Sequence, residues 1–157
     1  RNFFSNLTMP IRAVNCLLQG KFVGFGTELL RFVVNSTAGM LGLMDPAQTA
    51  LKLEKQDEDF GQTLGVYGLG PGFFINWPFL GPSSVRGTIG FAGNYYLDPV
   101  AWVSIDFGEW VVIRAGELVN TTALSLGEYE ALKKAALDPY VAMRDAYYQY
   151  RQNKIKN

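Results

Sequence analysis

The feature that most constrains the fold is a helical segment, from Lys21 to about Ala38, in which polar side chains occupy only a narrow stripe. At about 100° per residue, the stripe consists of Lys21, Glu28, Arg31 and Asn35. Apolar side chains cover the adjoining face and extend around the back of the helix: Phe22, Val23, Phe25, Leu29, Leu30, Phe32, Val33 and Val34. An apolar arc this wide exceeds that of an ordinary surface helix. The helix therefore either contacts lipid or is buried on several sides, and the sequence leaves both open.

Charge is scarce over the whole chain of 157 residues, of which 48% are hydrophobic and only 18% charged. An ordinary soluble domain has about 25% charged residues. Either a partner or lipid covers apolar surface, or the chain forms a compact, aromatic-rich soluble core. No apolar run approaches the ~18–20 residues that span a bilayer as a helix, so membrane contact would use amphipathic helices, a lipid anchor or a larger assembly. The balance of 14 basic and 14 acidic residues gives no basis for binding nucleic acid.

Proline and aspartate mark where other helices begin. One helix is predicted to begin near Pro10 and to end at Gly20. Three Asp-Pro pairs predict further starts, because aspartate can cap a helix whose first residue is proline: Asp45-Pro46, Asp98-Pro99 and Asp138-Pro139. A stripe at three- and four-residue steps follows the last pair and favours packing over a ligand site: Tyr140, Met143, Tyr147 and Tyr150. Helices are also predicted over 83–96, 106–126 and 128–137, so the chain is interpreted as one all-α, mainly helical domain.

The segment from Gly65 to Gly81, GVYGLGPGFFINWPFLG, does not suit a helix. Pro78 forbids a regular helix through these bulky apolar residues, so the segment is predicted to be an extended hairpin or loop. Because such a loop is unfavourable in water, we expect it to be buried or to contact lipid or a partner. Three glycines in the helix that follows would permit close approach of another backbone: Gly87, Gly90 and Gly93.

The residues that most enzymes use are missing. The chain has no histidine and one cysteine, Cys16, which excludes Ser-His-Asp and Cys-His catalysis and the common zinc sites. The acidic cluster from Glu54 to Asp59 lacks the pattern of a calcium loop and is interpreted as a solvated loop or a helix start. Cys16 lies in an apolar stretch and is expected to be a small buried core residue. We expect no catalytic residue, no metal and no cofactor.

Blocks of sequence along nearly the whole chain resemble one known family. The most specific is EDFGQTLG, from Glu58 to Gly65, followed by PFLGPSS at 78–84 and by Arg86. The other blocks, in order, are NFFSNL at 2–7 with Pro10, Val14-Asn15, LLQG at 17–20, Arg31-Phe32, Asn35-Ser36-Thr37, Gly39 to Asp45-Pro46, Tyr67-Gly68 with Gly70, and Asp138-Pro139-Tyr140 with Arg144 and Tyr147. By these blocks the chain is similar to the MlaA (VacJ) family of Gram-negative outer-membrane lipoproteins.

The resemblance implies a fold and a function that composition does not. It implies a single-domain ring of amphipathic helices with a Gly/Pro/aromatic hairpin loop, lipid-anchored in the periplasmic leaflet of the outer membrane. Beside a trimeric porin, this ring would form an amphipathic channel that takes mislocalised phospholipid from the outer leaflet and passes it to a soluble periplasmic carrier, MlaC. The expected channel-lining or gating residues are Phe73, Phe74, Ile75, Trp77, Phe79, Leu80 and Arg86.

Some parts of the family have no counterpart in this sequence. We expect residues 1–157 to be one domain of that family from which the N-terminal signal, the lipidated cysteine and the first helix are missing. Cys16 is interior and does not lie in a lipobox, so it is not the lipid anchor. A periplasmic adaptor lipoprotein that binds a porin without conducting lipid shares every feature above and stays open. A phospholipase-like enzyme is disfavoured, since the chain lacks histidine and a G-x-S-x-G elbow.

Overall fold

The computed structural model describes residues 2–78, 80–103, 106–119 and 138–156. Over these residues the chain is mainly helical with one two-stranded sheet, which confirms the predicted fold class. The elements in chain order are α1 (Asn2–Leu7), α2 (Met9–Leu18), α3 (Phe22–Thr37), α4 (Pro46–Thr49), α5 (Phe60–Val66), β1 (Phe74–Trp77), β2 (Gly81–Ser84), α6 (Val85–Leu97), α7 (Pro99–Val103), α8 (residues 107–119) and α9 (Pro139–Lys156). The helix predicted over 128–137 lies outside the described residues, and the ring arrangement stays a prediction.

Aspartates begin the helices where the Asp-Pro pairs predicted. Asp45 Oδ1 accepts a hydrogen bond from the backbone N–H of Gln48 at 3.0 Å, and Asp138 Oδ1 accepts from that of Tyr140 at 2.9 Å. Asp98 Oδ1 accepts at 3.0 Å from the N–H two residues further on. Each bond satisfies an N–H that the first helical turn leaves without a partner. All three predicted starts are therefore confirmed.

The Gly/Pro/aromatic segment forms the predicted hairpin. β1 and β2 are antiparallel, with Phe74 opposite Ser84 and Trp77 opposite Gly81. Gly81 has a φ of +80°, a conformation that glycine adopts without a steric penalty. Ser84 ends β2, and its Oγ accepts a hydrogen bond from the N–H of Gly87 at 3.1 Å. The strand therefore passes directly into the capped start of α6.

Helix α3 buries its polar stripe and exposes its apolar arc. Glu28 is 0% exposed and Arg31 4%, whereas Phe22 is 69% exposed and Val23 86%. The polar side chains therefore face the protein, and the apolar ones face outward. A helix buried on several sides is thus the wrong interpretation of this sequence pattern.

Paired charges fill the interior between α2, α3 and α4. Arg12 donates from Nε to Glu28 Oε2 at 2.8 Å, and Arg31 donates from Nη2 to Asp45 Oδ2 at 2.7 Å. Asn35 Nδ2 donates to the other oxygen of Asp45 at 2.9 Å. Buried charges are costly unless they are paired and hydrogen-bonded, so these contacts fix how the three helices meet. The buried apolar side chains of the described residues are Met9, Ala13, Cys16, Ala47 and Val100.

Cys16 is fully buried, as its apolar neighbours predicted. Burial raises the pKa of its thiol to about 11, and the carboxylates of Glu58 and Glu28 add to this effect. The thiol is therefore protonated at neutral pH and packs as a small core group.

The acidic cluster differs from its prediction at its C-terminal end. Glu58 is buried, and its carboxylate accepts hydrogen bonds from Gln19 Nε2 at 3.0 Å and from Lys21 Nζ at 2.9 Å. The solvated-loop interpretation is therefore wrong for Glu58, because α2 and the start of α3 supply partners that local sequence does not reveal. The predicted helix start is confirmed at Asp59, whose Oδ1 accepts from a backbone N–H of α5 at 2.9 Å.

Another buried carboxylate, that of Asp98, fixes α8 against the junction of α6 and α7. It accepts hydrogen bonds from Trp110 Nε1 and from Arg114 Nε, each at 2.7 Å. The same residue caps α7, so one side chain both begins a helix and holds another. Here too an interior position is occupied by a paired charge.

Large apolar side chains cover much of the described surface. The turn after α3 exposes Met40, Leu41, Leu43 and Met44, next to the exposed arc of α3 itself. Extended apolar patches of this kind mark surfaces that contact lipid or a protein partner. The alternative of a compact, aromatic-rich core is therefore contradicted. Among the described helices, none combines the length and the hydropathy needed to cross a bilayer.

Replacing Glu28 by glutamine tests whether paired charges hold the interior. We expect Glu28→Gln to lower the free energy of unfolding by about 3–5 kcal/mol, because it leaves Arg12 charged and buried without its carboxylate. Urea unfolding of the protein in detergent micelles measures this change. As a control, Asp145→Asn removes an exposed ion pair with Arg144 and should cost about 1 kcal/mol or less. Equal losses in the two variants would contradict the prediction.

Candidate functional site

The larger cavity lies between the hairpin, α6 and α9 and has a volume of about 530 Å³. Its lining is mixed in polarity. Apolar side chains of the lining include Leu80, Pro82, Phe91 and Met143. Polar side chains of the lining include Asp59, Ser83, Asn94 and Arg151. A cavity with this lining can hold an amphiphile, since it offers both apolar surface and hydrogen-bonding groups.

The smaller cavity has a volume of about 230 Å³ and lies between α5, α6 and α9. Its lining includes Gly65, Arg86, Gln152, Ile155 and Lys156. Tyr147 and Arg151 line both cavities, so the two spaces meet at one turn of α9. This lining carries three cationic side chains, and the larger cavity supplies most of the apolar wall.

The ion pair between Arg151 and Asp59 connects α9 to the start of α5. Arg151 donates from Nη2 to Asp59 Oδ1 at 2.9 Å and from Nη1 to Oδ2. Burial by itself would raise the pKa of Asp59, but the hydrogen bonds and the charge of Arg151, together with hydrogen bonds from Gln62, outweigh it and hold the pKa below its usual 3.8. The carboxylate therefore stays charged over the physiological pH range.

Glycines in α5 let two guanidinium groups approach its backbone. A Cβ at Gly61 would lie 2.9 Å from Arg151 Nη2, and a Cβ at Gly65 would lie 2.9 Å from Arg86 Nη1. α6 approaches the same helix closely, since a Cβ at Gly90 would lie 2.6 Å from the backbone nitrogen of Gly61. The close backbone approach that the glycines of α6 predicted is therefore confirmed at Gly90, and any larger side chain there would push α5 and α6 apart.

Aromatic contacts hold α9 against the hairpin. The ring of Phe74 meets those of Tyr140, Tyr147 and Tyr148 edge-on, at centroid distances of 5.6, 5.9 and 6.1 Å. Tyr148 also donates its hydroxyl proton to the carbonyl of Gly72 at 3.0 Å. The predicted packing role of the tyrosine stripe is confirmed for Tyr140 and Tyr147. Its other members, Met143 and Tyr150, line the larger cavity together with Tyr147.

The predicted hairpin residues have different surroundings. Phe73 is 84% exposed, whereas Phe74 packs on α9 and Ile75 is half-buried. Trp77 donates from Nε1 to Thr88 Oγ1 at 3.1 Å. Leu80 lines the larger cavity and Arg86 the smaller one, while Phe79 lies outside the described residues. Of the members of the predicted set that the structure describes, only Leu80 and Arg86 line the cavities.

Sequence reasoning missed the residues that connect the two cavities. Asp59 and Arg151 are 92 positions apart, and no local pattern pairs them. Tyr147 was assigned to packing alone, although it also lines both cavities. The one available signal was the position of Asp59 at a helix start within the most specific sequence block.

Replacing Asp59 by asparagine tests the ion pair without removing the helix cap, because asparagine caps as well as aspartate. We expect Asp59→Asn to lower the free energy of unfolding at pH 7 by roughly 1.5–3 kcal/mol, the contribution of a hydrogen bond between charged groups. The folded-state pKa is depressed, so this contribution is present above about 3.8 and is lost as the pH falls through the folded-state value. Urea unfolding at pH 7 and pH 3 should show a smaller difference in stability between the two proteins at pH 3 than at pH 7.

Asp57→Asn is the matched control, because Asp57 is exposed and its ion pairs, with Lys55 at 2.6 Å and with Lys154 at 3.9 Å, lie outside the lining of the two cavities. It should change stability by about 1 kcal/mol or less at either pH. A difference between wild type and Asp59→Asn that is the same at pH 7 and pH 3 would refute the assigned charge state.

Comparison with known proteins assigns the chain to a family. The family model described as MlaA lipoprotein matches residues 1–154. The intermembrane phospholipid transport system lipoprotein MlaA of Escherichia coli is 33% identical over 160 residues, which cover 99% of this chain and 61% of that protein. The protein of the same name from Haemophilus influenzae is 32% identical over 157 residues, which cover 98% of this chain and 61% of that protein.

A solved structure gives the same result. It comes from work on the structural basis for maintenance of bacterial outer membrane lipid asymmetry, and it superposes with a TM-score of 0.79 at 32% identity. The match covers 98% of this chain and 77% of that one, whereas the chain spans about 61% of the length of the two relatives. The family model and the solved structure each match nearly the whole length of the chain, which therefore belongs to the MlaA lipoprotein family.

Proposed function

We propose that this chain conducts phospholipid as part of an intermembrane transport system. In this role it removes mislocalised phospholipid from the outer leaflet of the outer membrane and so maintains lipid asymmetry. The proposal is supported by membership of the MlaA family and by the E. coli relative, whose name assigns it to an intermembrane phospholipid transport system. The chain acts as a conduit and catalyses no reaction.

The observation that carries the proposal is the inverted placement of polar and apolar side chains. Charged and amide groups such as Glu28, Arg31 and Gln62 are buried, while Val23 and Phe73 are exposed. A protein with this distribution is stable where its outer surface meets acyl chains. Its interior can then supply the polar groups that a phospholipid headgroup needs, because burying a charged headgroup without partners is costly.

We propose that the protein lies in the periplasmic leaflet, and the same exposed surface supports membrane contact. The exposed arc of α3 and the apolar turn after it suit insertion to the depth of one leaflet, as amphipathic helices do. We propose that the protein is anchored in the outer membrane as a lipoprotein, in keeping with the name of its family. A trimeric porin beside it and a soluble periplasmic carrier, MlaC, are the proposed partners.

The larger cavity is the proposed place where phospholipid lies within the protein. Its mixed lining matches a molecule with an apolar and a polar end, and the hairpin forms one of its walls. We propose that the hairpin residues Phe73 and Leu80 control access to it. Leu80 lines the cavity directly, and Phe73 extends from the same hairpin into the surroundings.

Lipid analysis of the native protein tests the proposed function. The protein extracted from outer membranes in mild detergent should retain phospholipid, which mass spectrometry identifies together with any porin that co-purifies. Retention of a porin without phospholipid would instead support the adaptor lipoprotein that conducts no lipid.

Filling the larger cavity should displace the lipid. Ala146 lines the cavity and is itself exposed, so Ala146→Trp adds bulk there without disturbing the buried interior. We expect about tenfold less retained phospholipid, because overpacking costs roughly 1–3 kcal/mol. The matched control is Ala92→Trp, at an exposed position of α6 outside the cavity lining, which should retain lipid like the wild type. Equal retention in both variants would place the lipid elsewhere.

Shortening two hairpin side chains tests the proposed control of access. In Phe73→Ser combined with Leu80→Ser, smaller side chains should obstruct the cavity less and speed the exchange of labelled phospholipid between protein and vesicles. Exposed substitutions typically change stability by about 0.5 kcal/mol or less, so the variant should stay folded. Tyr96→Ser, at an exposed aromatic residue of α6, is the control. An exchange rate equal to that of the wild type would remove the hairpin from the proposed path.

A further inference from the structure

We propose that the smaller cavity, between α5, α6 and α9, is a binding site for a phosphate group, with Arg86 as its principal ligand and Lys156 and Arg151 as further cations. This inference rests on the proposed function where the phosphate belongs to a phospholipid, because the cavity then holds the headgroup. A soluble phosphate ester has the same chemistry at the phosphate, and the two sources are separated by the experiment below.

The first observation is that Arg86 is buried without a carboxylate. It is 6% exposed, and it donates from Nη1 to the carbonyl of Leu69 at 2.7 Å. Its Nε is buried and has no hydrogen-bond partner among the described residues. Within the same part of the chain no acidic side chain lies at ion-pair distance from it, whereas the buried Arg12 and Arg31 each have a carboxylate. A buried cation left in this state is costly, and an anion in the adjoining cavity removes the cost.

The second observation is the place of Arg86 in its helix. It is the second residue of α6, which begins at Val85. The first turn of a helix carries partial positive charge, so a cation there is unfavourable and an anion favourable. A phosphate bound beside Arg86 would interact with both the guanidinium and the helix terminus.

The third observation is the excess of positive charge around the cavity. Lys156 lines it from the end of α9 and, over the described ranges, has no ion pair. Arg151 is paired with Asp59, yet its Nε is also buried without a partner. The remaining titratable side chains of the lining are Tyr147 and Tyr148. Burial, and after it the charge of Arg151, lower the pKa of Arg86, and Tyr147 and Asp59 only partly offset them.

The fourth observation concerns room and continuity. The cavity volume of about 230 Å³ is several times the ~30 Å³ that one water molecule occupies in the liquid. The cavity is therefore large enough for a phosphate group. Tyr147 and Arg151 line both cavities. A phospholipid can therefore place its phosphate in the smaller cavity and an acyl chain against the apolar wall of the larger cavity. A single turn of α9 thus separates the cavity that suits the phosphate from the cavity that suits the acyl chain.

Two lipids with the same acyl chains, one with a phosphoglycerol headgroup and one without it, test the proposal. The mature protein in detergent micelles is offered phosphatidylglycerol, diacylglycerol with the same acyl chains, or soluble glycerol phosphate, and binding is measured by native mass spectrometry and by competition with a fluorescent lipid. We expect the wild type to bind phosphatidylglycerol at least about tenfold more tightly than diacylglycerol, the scale of one charge-assisted hydrogen bond. Arg86→Gln and Lys156→Gln should each reduce this preference several-fold.

Lys154→Gln is the matched control, since it makes the same charge change on the same helix at a residue outside the lining of the smaller cavity. It should keep the full preference for phosphatidylglycerol. If Arg86→Gln fails to fold, Lys156→Gln still decides, because Lys156 is exposed near the end of α9. A merely structural Arg86 would change stability but leave the ratio of the two lipid affinities unchanged.

The outcomes separate this proposal from the proposed function. Equal binding of both lipids overturns the phosphate site and leaves lipid transport standing. Binding of glycerol phosphate alone, weakened by Arg86→Gln, supports a site for soluble phosphate esters and contradicts the proposed transport of phospholipid. Binding of none of the three ligands overturns both, and a preference for phosphatidylglycerol that neither variant reduces overturns the assignment to this cavity.

Discussion

The carboxylate of Glu28 organises the N-terminal half of the structure. Its Oε2 accepts from Arg12 Nε at 2.8 Å, and its Oε1 accepts from the backbone N–H of Gln56 at 2.8 Å. Arg31, one turn further along α3, carries the network on to Asp45 at 2.7 Å. One buried side chain thus joins α2, α3 and the extended segment before α5. Because these contacts hold the inner face of α3, its apolar arc is left free to face outward.

An apolar exterior changes what can drive helix packing. Where the surroundings are as apolar as leucine, helices gain little by burying leucine, so close backbone contact and hydrogen bonds must supply the association. The structure shows both devices. Gly90 brings α6 against the backbone of α5, and Thr63 in α5 donates its hydroxyl proton to Asn15 Oδ1 in α2 at 2.7 Å. The scarcity of buried large apolar side chains is therefore a consequence of the inverted surface.

Local sequence patterns predicted the helices and the hairpin, whereas contacts between residues far apart in the sequence form the candidate site. The Asp-Pro pairs, the hairpin and the polar stripe of α3 could each be predicted from neighbouring residues. Whether that stripe faces the protein interior or the surroundings could not be predicted, because the same periodicity suits a polar or an apolar exterior. Glu58 was expected to be solvated, since its partners Gln19 and Lys21 lie some 40 positions away. The pair of Asp59 and Arg151 cannot be predicted from local sequence for the same reason. Arg86 is predicted as a site residue only because it belongs to a block that resembles the family.

One wall of the two cavities, helix α9, is less buried than the interior between α2 and α3. α9 has no buried residue and is held by the aromatic contacts of Phe74, by the ion pair of Arg151 with Asp59, and by single hydrogen bonds such as that of Tyr148. The interior between α2 and α3 is instead fixed by fully buried charges. Regions with few buried contacts open at lower free energy than the core. Since α9 lines both cavities, the contacts that shape them belong to a less buried part of the structure, whereas the paired charges under α3 lie apart from the cavities.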